Sequence, residues 1–103
     1  MSQLLQRLFV GSNNTTGVLE KDLIVGVVNQ RYPMGSTNYP TEGCWRGGSE
    51  KSLCIEVAGM DTPISRKDFE IMARIICIAC QQECVMVQRF VREGFSYELV
   101  RAE

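Results

Sequence analysis

The spacing of apolar residues changes along the chain, and each change marks an element. From Gln3 to Val10, Leu4, Leu8 and Val10 fall on one face and Arg7 and Phe9 on the other, the two-residue period of a strand. A polar loop follows, Gly11-Ser12-Asn13-Asn14-Thr15-Thr16-Gly17, built almost wholly of turn-forming residues. Val18 to Arg31 then predicts a helix, because Leu19, Leu23, Ile24, Val27 and Val28 recur at helical spacing. Glu20 and Asp22 near its start and Arg31 at its end suit the helix dipole. Gly26 costs about 1 kcal/mol relative to alanine inside a helix, which suggests a close packing contact there. Pro33 stops the helix and biases Tyr32 toward extended geometry.

Between Gly35 and Gly48 the pattern blurs, and Ser36–Tyr39 and Gly43–Arg46 read as pieces of an irregular strand, with Gly47-Gly48 turning the chain. Lys51 to Ala58 is a clear strand in which Leu53, Ile55 and Val57 alternate with Cys54, Glu56 and Ala58. Gly59 to Pro63 reads as a loop. Ser65 with Asp68 three residues on resembles a capping box, opening a helix from Arg66 to about Gln82 with Phe69, Met72, Ile76 and Ala79 as its buried stripe. Cys84 to Arg92 reads as a strand, Glu93-Gly94 as a turn, and Phe95 to Val100 as a last strand. This order implies an α+β domain spanning residues 1–103: a ferredoxin-like split βαβ, with an antiparallel sheet, helices on one face and an extra C-terminal strand. The sheet face away from the helices is left uncovered, so a homodimer or higher homo-oligomer is expected.

Composition narrows the chemistry. The chain has 103 residues, 45 % hydrophobic and 22 % charged, near the average for a globular domain. Its net charge of −1 gives no basic face of the kind that binds DNA or RNA, beyond a local patch that Arg89, Arg92 and Arg101 could make. The first residues show neither a secretory signal nor a membrane span, so a cytoplasmic protein with reduced thiols is expected, in the host cytoplasm if a phage encodes it. The chain contains no histidine, which removes Ser-His and Cys-His pairs, imidazole bases and His-metal sites together. On that ground the expectation is a non-enzymatic protein with no catalytic residue, no metal and no cofactor.

Candidate sites are few. Cys77, Cys80 and Cys84 have a spacing that thiolate-bound zinc or iron–sulfur clusters use, but they end an apolar helix, where buried reduced thiols are the simpler reading. Asn13, Asn14, Thr15 and Thr16 precede a helix start, where backbone N–H groups attract phosphate or carboxylate; the alternative is an ordinary capped junction. Gly43-Cys44-Trp45-Arg46-Gly47-Gly48 holds the one tryptophan beside an arginine. Trp45 or Tyr39 could stack on a base while Arg46 takes a phosphate; the alternative is a core plug and an ion pair. Glu50 and Glu56 share a strand face about 20 Å apart by strand rise, too far for a catalytic pair.

Several of these stretches together resemble one family. Leu8-Phe9-Val10-Gly11, Arg31-Tyr32-Pro33-Met34-Gly35-Ser36-Thr37, Gly43-Cys44-Trp45-Arg46, Glu50-Lys51-Ser52 and Gln81-Gln82-Glu83-Cys84-Val85-Met86-Val87 are similar to motifs of a domain-of-unknown-function family of small bacterial and phage proteins. The resemblance covers residues 8 to 92. It departs at Tyr32, where the family has Phe, and in lacking the signal segment of many bacterial members. It implies a ferredoxin-like fold and no established activity.

The functional expectation at this stage is a phage-type binding protein. It would sequester a cyclic nucleotide immune signal between subunits, with Asn13, Asn14, Thr15, Thr16, Tyr39, Trp45, Arg46 and Arg89 as ligand-binding residues. The alternative is a protein that inhibits a host protein through its open sheet face.

Overall fold

The computed structural model describes residues 2–45 and 47–103, with Trp45 described in its backbone alone. Seven elements follow in order: β1 Gln3–Val10, α1 Lys21–Arg31, β2 Thr37–Trp45, β3 Gly48–Met60, α2 Pro63–Ala79, β4 Cys84–Val91 and β5 Gly94–Arg101. The strands form one sheet in the order β2-β3-β1-β4-β5, every neighbouring pair antiparallel. The first four strands have the ferredoxin-like arrangement, and β5 adds to the β4 edge through a tight turn at Arg92-Glu93. The α+β fold expected from the sequence is the one observed.

Strand periodicity decides the layering. On β1, Leu4, Gln6, Leu8 and Val10 are buried beneath the helices, while Leu5, Arg7 and Phe9 are only partly covered on the other face. The core joins Leu8, Val10, Leu53, Ile55 and Val87 of the sheet to Ile24 and Val28 of α1 and Phe69, Met72 and Ile76 of α2. One ion-paired group is buried with them. The Arg89 guanidinium donates to Gln6 Oε1 at 2.9 Å and to Glu98 Oε1 at 2.7 Å.

Several boundaries differ from the sequence expectations, each for a physical reason. Helix α1 starts at Lys21, three residues later than the apolar pattern suggests, since Val18 is exposed and Leu19 packs on the core from the loop. Gly26 has no neighbour within 4 Å of where a Cβ would stand, so the expected close contact is absent. Helix α2 starts earlier, at Pro63. Thr62 is its N-cap, and Thr62 and Ser65 exchange side-chain to backbone hydrogen bonds (3.0 and 3.1 Å), so Ser65 closes the capping box rather than opening it. Pro63 fits the first turn, where its missing N–H costs nothing. Helix α2 ends at Ala79, and Gln81 stands in the left-handed region at φ 52°. Strand β2 runs unbroken through Pro40, which is tolerated because β2 is a sheet edge. Among the described residues no helix is long and apolar enough to cross a membrane.

Candidate functional site

Antiparallel pairing gathers three chain segments at one pole of the sheet. Val10 faces Leu53 across β1 and β3, and Phe9 faces Met86 across β1 and β4. The exit of β1 at Gly11, the start of β3 and the turn entering β4 therefore meet. Glu50 stands there. It pairs in register with Gly43 of β2 and, by strand alternation, shares the face of Ser52, Cys54 and Glu56 that turns away from the helices. Its Oε1 accepts the Ser12 N–H at 2.6 Å, and the Ser12 hydroxyl donates to the Lys51 carbonyl at 3.0 Å. A Cβ at Gly11 would lie 2.5 Å from Glu50 Oε1 and 3.2 Å from Gln82 Oε1, so the Glu50 carboxylate would have to move.

Two cavities open beside this carboxylate. One, of about 470 Å³, includes Phe9, Gly43, Glu50, Ser52, Met86 and Leu99 in its wall. The other, of about 400 Å³, is more polar and includes Ser12, Asn13, Asn14, Glu50 and Lys51. Glu50 and Asn14 belong to both walls. The first cavity is large enough for a drug-sized ligand and mixes an apolar floor with a few polar groups, as ligand sites usually do.

The loop after β1 owes its shape to Asn13. This buried side chain accepts from the N–H groups of Thr15 (2.8 Å) and Thr16 (3.1 Å), while the backbone N–H of Asn13 donates to the Val18 carbonyl at 2.8 Å. Thr16 Oγ1 accepts from Val18 N–H at 3.2 Å, and the Thr15 hydroxyl donates to Gln81 Oε1. Of the four loop residues picked out in the sequence, Asn13, Thr15 and Thr16 thus have structural partners, and Asn14 is exposed at the cavities.

The remaining candidates scatter. Tyr39 pairs with Cys54 on the face that carries Glu50, but four residues further along, about 13 Å by strand rise. Its phenol is held above the usual range, first by a hydrogen bond with the Cys54 thiol and then by desolvation. Trp45 closes β2 opposite Gly48, two positions beyond the Gly43–Glu50 pair. Arg46 lies outside the described residues. Arg89 is a correction: it faces the helices, is 7 % exposed, and spends its donors on Gln6, Glu98 and the Arg66 carbonyl rather than on a ligand. Glu56 pairs with Arg7, which leaves Glu50 as a separate carboxylate.

Cys54, Cys77 and Cys80 are buried, Cys84 is partly covered and Cys44 is exposed. Burial pushes the Cys80 thiol up to about 11. Among the described residues no group of three His, Cys, Asp or Glu side chains is placed to hold a metal. At the opposite pole an apolar cavity of about 250 Å³ lies among Leu4, Tyr32, Pro33, Val57 and Met60. Its wall also carries Gln6, Arg31 and Ser65 but no carboxylate.

Sequence reasoning missed Glu50. In sequence it stands at the start of Glu50-Lys51-Ser52, where strand rise separates it from Glu56 and nothing else marks it. Only the register across β2 and β3 places it beside a cleft, whose wall also includes Glu83.

No protein-family model matches the chain, and no curated protein matches it. Solved structures do. A phage SAM lyase in its apo state superimposes with a TM-score of 0.80 at 18 % identity, covering 99 % of this chain and 91 % of that one. A phage SAM lyase in complex with S-methyl-5'-thioadenosine gives a TM-score of 0.77 at 17 % identity, covering 98 % and 91 %. The likeness runs over nearly the whole of both chains, and at these identities it is a likeness of fold.

It overturns two expectations. The step from missing histidines to a non-enzymatic protein fails, because this fold is the fold of an enzyme. The cyclic nucleotide sponge is withdrawn with it, since the solved neighbours are lyases and one holds a thioether nucleoside.

Proposed function

We propose that the protein binds S-adenosylmethionine in the cleft beside Glu50 and cleaves it as a lyase, releasing methylthioadenosine. The observation that supports this most directly is the Glu50 carboxylate, half-buried against the Ser12 amide and forming the shared wall of two cavities. The full-length fold likeness to phage SAM lyases supports it from outside the chain.

The chemistry suits a protein without imidazole. The substrate carries a sulfonium cation, and an anion at the cleft attracts it in a site partly shielded from water. When the bond from sulfur to the four-carbon amino-acid arm breaks, its electron pair returns to sulfur and methylthioadenosine leaves as a neutral thioether. No acid is needed to protonate that leaving group, so the usual task of a catalytic histidine does not arise. The four-carbon arm regains a pair either from its own carboxylate, closing a five-membered lactone, or by giving a neighbouring proton to a base such as Glu50. The apolar surface of Phe9, Met86 and Leu99 suits the thioadenosine part, and Asn14, Ser52 and Glu50 suit polar groups.

The test is incubation of purified protein with S-adenosylmethionine, with methylthioadenosine read by chromatography. Vinyl proton resonances distinguish the two four-carbon products, which have equal mass. Glu50→Gln keeps the shape and removes the charge, and is expected to lower turnover by about a hundredfold with an unchanged circular dichroism spectrum. Absence of turnover in the unaltered protein, together with no thermal shift by methylthioadenosine, would reject the proposal.

The uncovered sheet face adds a second element to this reading. Phe95, Tyr97 and Leu99 of β5 are more than half exposed in a row, beside Phe90. We propose that this row packs against another copy of the chain. Leu99 also lines the Glu50 cavity, so such packing would close one side of the cleft.

A further inference from the structure

We infer that Gln81 and Gln82, in the turn between α2 and β4, are positioning residues that hold the Ser12–Gly17 loop against Glu50; the inference rests on Glu50 being the functional carboxylate. The turn is a fixed base. Gln81 N–H donates to the Ile78 carbonyl at 3.1 Å and Gln82 N–H to the Cys77 carbonyl at 2.9 Å, while the Cys77 thiol donates back to the Gln82 carbonyl at 3.2 Å. Gln81 holds a left-handed φ of 52°, a conformation that disfavours most side chains and that glycine would adopt at less cost.

From this base two side chains reach one loop, which lies nearly seventy residues away in sequence. Gln82 Nε2 donates to the Ser12 carbonyl, and Gln81 Oε1 accepts from the Thr15 hydroxyl. Between these anchors lies the loop whose Ser12 N–H donates to Glu50. The Ser12 peptide is thus gripped through its oxygen while the amide of the same residue grips the carboxylate. Gly11 allows the arrangement, because a Cβ there would displace the Glu50 carboxylate and crowd Gln82. Gln81 thus stands in a left-handed turn with its amide oxygen on the loop. The consequence is that Glu50 has one orientation toward the cleft, set from helix α2.

The prediction concerns coupling. Gln82→Ala is expected to raise the hydrogen exchange rate of the Ser12 amide about tenfold and to lower turnover of S-adenosylmethionine about tenfold through kcat, with KM within about threefold. In the Glu50→Gln background the same substitution should cost nothing further, because its effect passes through that carboxylate. Gln81→Gly relieves the left-handed backbone and removes the Thr15 anchor. It should loosen Thr15 and Ser12 exchange without lowering the melting temperature. Unchanged Ser12 exchange in both variants would overturn the inference, as would an equal loss of turnover in the presence and absence of the Glu50 charge. The exchange readout does not depend on catalysis. Loose loop amides in a protein with no lyase activity would uphold the latch and reject the proposed function; full turnover with rigid amides in Gln82→Ala would do the reverse.

Discussion

At the scale of single residues, the chain separates groups that look alike in sequence. Glu50 and Glu56 lie on one face of β3, yet Glu56 is neutralised by Arg7 and Glu50 receives a backbone amide beside a cleft. The five cysteines divide similarly. Cys44 is exposed and should react first with iodoacetamide in the folded protein, whereas Cys54, Cys77 and Cys80 should react only on unfolding. Burial raises the Cys80 thiol to about 11 from the ordinary value, so the folded state binds that proton more tightly than the unfolded chain. The stability this provides is complete below the unfolded pKa and is lost as pH rises toward the folded one. The free energy of unfolding should therefore fall between about pH 9 and 11, by roughly 2 kcal/mol for this thiol alone. A flat profile across that window would contradict the burial of Cys80.

At the scale of elements, the two helices differ in how they begin. Helix α2 has a reciprocal Thr62–Ser65 cap, Pro63 in its first turn and an Arg66–Asp61 pair at 2.7 and 3.1 Å. Thr62→Ala should destabilise the protein by about 1 kcal/mol in urea unfolding, with the m-value unchanged. Helix α1 has no side-chain cap at Glu20, and its entry is held from the Asn13 loop. The helical period was legible in both helices. Their starts were not, because Val18 and Leu19 extend the apolar pattern into a loop and Ser65 serves either end of a capping box equally well on sequence alone. Strand β2 reads as broken because the alternation blurs between Gly35 and Gly48, and only its edge position shows why Pro40 within it is harmless.

At the scale of the whole molecule, the helices cover one face of the sheet and leave the other with an aromatic row. Tyr97→Glu combined with Phe95→Ser should shift the protein to monomer in light-scattering measurements while leaving its circular dichroism spectrum intact. A monomer before substitution would argue against self-association through this face. The buried Arg89 shows what strand position alone conceals. From sequence it belongs to a strand block with Phe90 and Arg92. Strand alternation turns Phe90 outward and Arg89 inward, where Gln6 and Glu98 satisfy it.

Local pattern determined the α+β class, the order of the elements, the central strands and the apolar stripe of α2, since period and turn chemistry act over a few residues. Tertiary structure decided the cleft. Gly11, Ser12, Glu50 and Gln82 are separated by as many as 71 positions, and nothing in their own surroundings marks them as neighbours. Antiparallel register brings them together, and the left-handed turn at Gln81 aims the amides at the loop. The absence of histidine, read from composition as an absence of catalysis, does not exclude it: solved structures that share this fold are phage SAM lyases, and a sulfonium can depart as a neutral thioether without a proton donor.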